Sequence, residues 1–212
     1  MKTIGNHSAA SAPAGMLAAM IAAIIAIVAL AGVATDAPAG QKQRNFVVTE
    51  QTYALPEVGL VDRAGQSVDF ARIAAQAERT VISFIFTSCA GICPMITANM
   101  TRAVPELDAF ADDYQILLIS VDPEFDTPKR LDEYAQRFNA GERIRFLTGT
   151  SDNVFRVLRS LEAHYEGSNK MNHQPVTLIS RDEPGRWTRI DGLIGSDVLV
   201  EQYRKLVAAQ TG

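Results

Sequence analysis

The sequence predicts an α/β fold: a three-layer sandwich with helices on both faces of a mixed central sheet, preceded by one apolar N-terminal helix. Three observations predict it. From residue 46 onward, short β-branched and aromatic runs alternate with stretches of helical periodicity, the pattern of strands covered on two sides. Two of those runs, 80–86 and 116–121, are apolar at nearly every position, as in strands buried on both faces. Ahead of them, residues 16–34 carry no charge. Such a helix is about 28 Å long, close to the thickness of a bilayer's hydrocarbon core.

The domain boundaries follow. Residues 1–15 form a short tail with Lys2 as its only full charge, 16–34 a transmembrane anchor or signal segment, 35–45 a polar linker, and 46–212 one domain. The apolar stretch is long for a cleaved signal and has no polar face, which favours an anchor over a signal peptide or a core helix. The lone Lys2 orients the N-terminus inward, placing the domain on the exported, periplasmic side of the inner membrane. The composition is globular, with 47% hydrophobic and 21% charged residues. A net charge of −4 without a basic run argues against nucleic acid. Two cysteines exclude both a dense disulfide scaffold and a four-cysteine metal site.

Within the domain, 46–48 begins a strand, and 58–61 and 67–68 flank a turn at 62–65, predicting a hairpin. Residues 70–77 allow two helical turns before the strand at 80–86. Residues 92–110 repeat apolar positions at helical spacing (Ile92, Ile96, Met100, Val104, Leu107), constrained by Pro94 and Pro105. Met95 and Met100 read as core. After the strand at 116–121, Thr127 as N-cap and Pro128 at the first position start a helix to Phe138. A strand at 144–147, a helix capped by Ser151 or Asp152 and running to about Ala163, strands at 176–179 and 186–190, and a closing helix at 197–209 complete the chain.

The only two cysteines, Cys89 and Cys93, fall within five residues where the 80–86 strand gives way to a helix. Ligand sites in α/β sheets lie at such strand ends, and a helix N-terminus favours thiolate, so both thiol pKa values are expected to fall. Two thiolates are a soft donor set that selects Cu(I) over hard cations. A third donor is sought among three histidines. His7 precedes the apolar segment, and His164 reads as a helix-end cation. His173, directly before the strand at 176–179, is preferred as third ligand. Met171 could add a thioether but reads as an ordinary methionine, and Asp122 fits turn chemistry or a supporting role beside the site. The isomer of Pro175 is not readable from sequence.

These motifs carry a resemblance. The segment from Phe84 to Ser88 leading into Cys89-x-x-x-Cys93-Pro94, the run from Ser120 to Pro128 with Asp122 and Asp126, Leu147-Thr148-Gly149 before a helix, and His173 ahead of the last strand pair resemble the Sco/SenC family of thioredoxin-fold copper proteins. The resemblance covers about residues 46–208. Ala90 and Gln174-Pro175 depart from the common pattern. The resemblance implies a copper ion held by Cys89, Cys93 and His173. It also implies a role in delivering copper to the dinuclear centre of cytochrome c oxidase, or in keeping that centre's cysteines reduced. The partner is then the oxidase copper subunit or another copper donor or acceptor. The alternative is an enzyme: a metal-free thiol–disulfide oxidoreductase in which Cys89 attacks and Cys93 resolves. A peroxidase lacks its motif before Cys89, and a closed zinc site lacks a fourth ligand.

Overall fold

The computed structural model describes residues 45–164 and 170–210. The tail, apolar segment and linker predicted at 1–15, 16–34 and 35–45 lie outside the described residues, apart from Asn45. Among the described residues no helix is long and apolar enough to cross a membrane.

Among the described residues, eight strands and five helices follow one another as β1 (Val47–Thr52), β2 (Gly59–Asp62), β3 (Ser67–Asp69), α1 (Phe70–Ala74), β4 (Arg79–Ile85), α2 (Ile92–Asp108), β5 (Tyr114–Ser120), α3 (Pro128–Arg137), β6 (Ile144–Thr148), α4 (Ser151–Ser160), β7 (Val176–Ser180), β8 (Arg186–Asp191) and α5 (Ser196–Gln210). A 3₁₀ turn, Lys170–Asn172, precedes β7. The strands form a single sheet in the order β1-β8-β7-β4-β5-β6-β2-β3. β4, β5 and β6 are parallel, and the other pairings are antiparallel. The mixed sheet predicted from the alternating pattern is therefore present. Every residue of β4 and β5 is buried, so both faces of the sheet's centre are covered, as their unbroken apolar runs require.

Local chemistry sets the element ends. In the β2–β3 hairpin the Asp62 carboxylate accepts the Ala64 and Gln66 amides, each at 2.9 Å, and Gly65 supplies the positive φ of +79°. At α3, the Thr127 hydroxyl accepts the Arg130 amide at 3.4 Å ahead of Pro128. Thr127→Ala is expected to cost about 1 kcal/mol of unfolding free energy in urea titration.

α1 stops at Ala74, short of the 70–77 expected for it, and both ends of α4 differ from the sequence expectation. α4 is capped by Thr150, whose hydroxyl accepts the Asn153 amide at 3.3 Å. Ser151 and Asp152 therefore lie inside the first turn. α4 also stops at Ser160, short of Ala163. Glu162 takes a φ of +50°, its amide bonds Arg159 O at 3.2 Å, and the Ala163 amide bonds Leu158 O at 2.8 Å. That pair of bonds is a Schellman stop, made here without glycine. Asn139 closes α3 in the same way, through Asn139 N to Gln136 O and Ala140 N to Ala135 O, both at 3.0 Å. His164 stands exposed beyond the α4 stop.

α2 and α5 pack on each other. Met100 is core, at 2% exposure. Met95 is not: at 51% exposure it sits on the open side of the first turn of α2, a correction to its core reading.

Candidate functional site: a dithiol at the end of the central strand

β4 runs out at Ile85, and a six-residue turn, 86–91, leads from it into α2 at Ile92. The Cys89 amide bonds Phe86 O at 3.2 Å, folding the sulfur back over the strand end. The residue that caps α2, Gly91, has no side chain to bond the helix's first amides. The Cys89 sulfur takes that place, receiving the Cys93, Gly91 and Ile92 amides together with the Cys93 thiol. Burial pushes the Cys89 pKa up, but these hydrogen bonds outweigh it and hold the thiol below its ordinary value.

Cys93, in the first turn of α2, behaves oppositely. It is fully buried, and burial is the largest cause that pushes its pKa up to about 12. The Phe86 amide partly offsets this, while the Cys89 sulfur and the Asp126 charge add to it. The expectation that the helix start lowers both thiols therefore holds for Cys89 alone. Only Cys89 stands where the amides point, and two neighbouring sulfurs do not both ionise easily. Both cysteines are free thiols.

Asp126 lies beneath this turn with no exposure. Its carboxylate accepts the Thr87 amide at 3.1 and 3.2 Å, the Thr87 hydroxyl at 2.5 Å and the Ser120 hydroxyl at 2.6 Å. It thereby ties the chain leaving β4 to the end of β5. From α3, the Tyr134 hydroxyl lies 3.2 Å from Thr97 Oγ1, which donates to Cys93 O at 3.1 Å. Sequence reasoning missed Thr97 and Tyr134, and it weighed Asp122 rather than Asp126. The signal for Asp126 was present in the Asp-Thr-Pro cap, but burial alone separates the two carboxylates. Asp122 has an ordinary turn role, its carbonyl accepting the Phe125 and Asp126 amides at 3.1 and 2.8 Å. Its carboxylate is ion-paired with Lys170.

His173 reaches the same end of the sheet from another part of the chain. β7 pairs antiparallel with β4 through Ser83 and Thr177, and continuing that register sets Gln174 beside Phe86. The His173 ring stands edge-on to Phe84, with centroids 5.9 Å apart and planes at 72°. It is 7% exposed, and its Nε2 is buried without a hydrogen-bond partner among the described residues. Burial pushes its pKa down to about 4, so the imidazole is neutral at physiological pH. Pro175 follows through a trans peptide, and no peptide among the described residues is cis. The structure thus sets the two sulfurs side by side as free thiols and brings His173 to the same end of the sheet. It does not close the three into one cluster: no group of three or more His, Cys, Asp or Glu among the described residues is arranged to hold a metal ion. Met171, in the 3₁₀ turn two residues before His173, is 64% exposed.

A strand-end dithiol leading into a helix, on a mixed sheet of this order, defines a thioredoxin-like dithiol domain. The SCO1/SenC family model matches residues 49–208, and the chain belongs to the SCO1/SenC family. A Stutzerimonas stutzeri protein named for copper binding is 31% identical over 161 residues, covering 72% of this chain and 77% of the relative. The Bacillus subtilis SCO1 homologue is 37% identical over 105 residues, covering 47% of this chain and 54% of that relative. The match thus spans about half of that relative's length. Among solved structures, BsSco, described as a member of the Sco family of cytochrome c oxidase assembly proteins, superimposes with a TM-score of 0.62 at 25% identity. That match covers 76% of this chain and 96% of BsSco. Arabidopsis thaliana ScoI with copper bound gives 0.62 at 24% identity, covering 71% and 96% of the two chains.

Proposed function

We propose that this chain carries one copper ion on Cys89, Cys93 and His173, and serves the assembly of the copper centre of a cytochrome c oxidase. It does so by delivering the ion or by keeping the centre's thiols reduced. Residues 16–34 tether it to the inner membrane, with the domain on the exported side. One observation carries the copper reading: a free dithiol shares its end of the sheet with a buried, neutral imidazole whose Nε2 has no partner among the described residues. Thiolates and a neutral imidazole are donors that suit cuprous copper. An orphaned buried nitrogen is costly unless something occupies it. The copper-binding name of the Stutzerimonas relative and the copper-bound Arabidopsis ScoI support the same reading.

Copper requires both sulfurs as thiolates, so binding displaces protons and is lost when the pair is oxidised. Anaerobic copper titration of the reduced full chain should saturate at one ion per chain, and the disulfide form should bind none. His173→Ala should weaken binding about tenfold or more. Equal binding by the oxidised form would overturn the reading.

The unequal thiols favour a second activity on the same residues. The Cys89 thiolate attacks a substrate disulfide, forming a mixed disulfide and expelling one substrate thiolate. Cys93, deprotonated in the step, then attacks the Cys89 sulfur and expels the second. The substrate gains two electrons and the Cys89–Cys93 pair is left oxidised. A chain that acts only as this reductase keeps its exchange rate in His173→Ala.

A further inference from the structure

His173 is delivered to the dithiol's end of the sheet by a short turn, and one side chain of that turn grips the opposite wall. The His173 amide bonds Lys170 O at 3.1 Å, so the two residues belong to one closed turn. The Lys170 ammonium pairs with Asp122 at the end of β5. It also lies 5.4 Å from the centroid of the Phe86 ring and 5.7 Å from that of Phe125. Phe86 is the residue whose carbonyl holds the Cys89 amide. Phe125 is further fixed by the Arg130 guanidinium, 3.6 Å from its centroid. Lys170 therefore spans from the imidazole arm to the two segments that frame the dithiol.

We propose that Lys170 is a positioning residue: a clasp that holds the His173 arm against the dithiol rim by pairing with Asp122 between Phe86 and Phe125. The inference rests on the copper reading of His173 and adds what keeps that donor within reach. The Asp122 and Lys170 side chains are only 14% and 34% exposed, so the pair is partly shielded from solvent. Contacts of this kind each multiply an equilibrium constant by about 2–5. An unclasped arm has to be re-ordered whenever a ligand needs its imidazole, and apparent affinity falls with the docked fraction.

Two readouts test the clasp on the detergent-solubilised full chain. In the first, without copper, diethylpyrocarbonate modification is followed residue by residue by mass spectrometry. Lys170→Met keeps the apolar stem and removes the charge. It should expose His173 to modification at least about fivefold faster, leaving the already exposed His164 unchanged, while Lys170→Arg should stay near wild type. An unchanged His173 rate in Lys170→Met overturns the clasp. In the second, Lys170→Met should weaken copper binding about 3–10-fold when His173 is present and have no effect in His173→Ala. Equal losses in both backgrounds would assign Lys170 a merely structural role and overturn the proposal. Should His173→Ala alone leave copper affinity unchanged, the ligand set falls, while the modification experiment still judges the clasp.

Discussion

Iodoacetamide at pH 7 is expected to alkylate Cys89 at least about 40-fold faster than Cys93. Cys89 lies below its ordinary value and Cys93 stands at about 12, a gap of about 3 units or more. That gap alone makes the thiolate fractions differ by about a thousandfold. The more basic thiolate is intrinsically the better nucleophile, with a Brønsted slope of about 0.4–0.5, which returns a factor of about 25. What remains is about 40-fold, and the complete burial of Cys93 widens it. The sign of the pH dependence separates the two residues further. Cys89 alkylation rises with pH and flattens once its lowered pKa is passed, whereas Cys93 alkylation keeps climbing well above pH 9. Quenched time courses resolved by peptide mass spectrometry measure both, and equal rates would mean that the Cys89 sulfur does not collect the α2 amides.

Removing the Asp126 carboxylate should cost the fold several times more stability than removing the Thr127 cap. Asp126→Ala strands the Thr87 amide, the Thr87 hydroxyl and the Ser120 hydroxyl around a buried void. Hydrogen bonds to a charged acceptor contribute about 1.5–3 kcal/mol, and unsatisfied buried donors add their own penalty. A loss of about 3–4 kcal/mol is expected, and Tm should fall by roughly 6–16 °C for a domain of this size. Asp126→Asn keeps the volume and one acceptor oxygen, and should lose less than half as much. Urea unfolding of the two variants checks both numbers. A loss under about 1 kcal/mol in Asp126→Ala would show that the carboxylate does not hold the end of β4 to β5.

Much of this fold was legible in the chain because its signals are local. The runs behind β4 and β5 are unbroken, the Thr127-Pro128 start follows cap chemistry, and the Asp62–Gly65 turn announces a hairpin. The dithiol was legible for the same reason, since five consecutive residues contain it. What escaped depends on contacts far apart in sequence. Asp122 and Asp126 share one turn, and only the packing of Thr87 and Ser120 singles out the second as the buried carboxylate. Tyr134 reaches Cys93 through Thr97, itself 37 residues from Tyr134 in sequence. The high Cys93 pKa is a matter of burial, which no spacing reports. Met95 follows the helical period of its neighbours, but it lies 51% exposed at the start of α2, and periodicity does not reveal which positions of a first turn the rest of the fold covers. The α4 stop escaped because Glu162 does what glycine usually does.

β4 is flanked by a parallel neighbour on one side and an antiparallel one on the other, so the sulfur-bearing and imidazole-bearing arms arrive from separate stretches of polypeptide. The two chemistries are consequently separable in descent. Under the proposed copper site, a lineage that eroded or lengthened the arm ahead of β7 would forfeit metal carriage and keep the dithiol. Variation among descendants of this scaffold should accordingly concentrate on one arm, with the other left as the inherited constant.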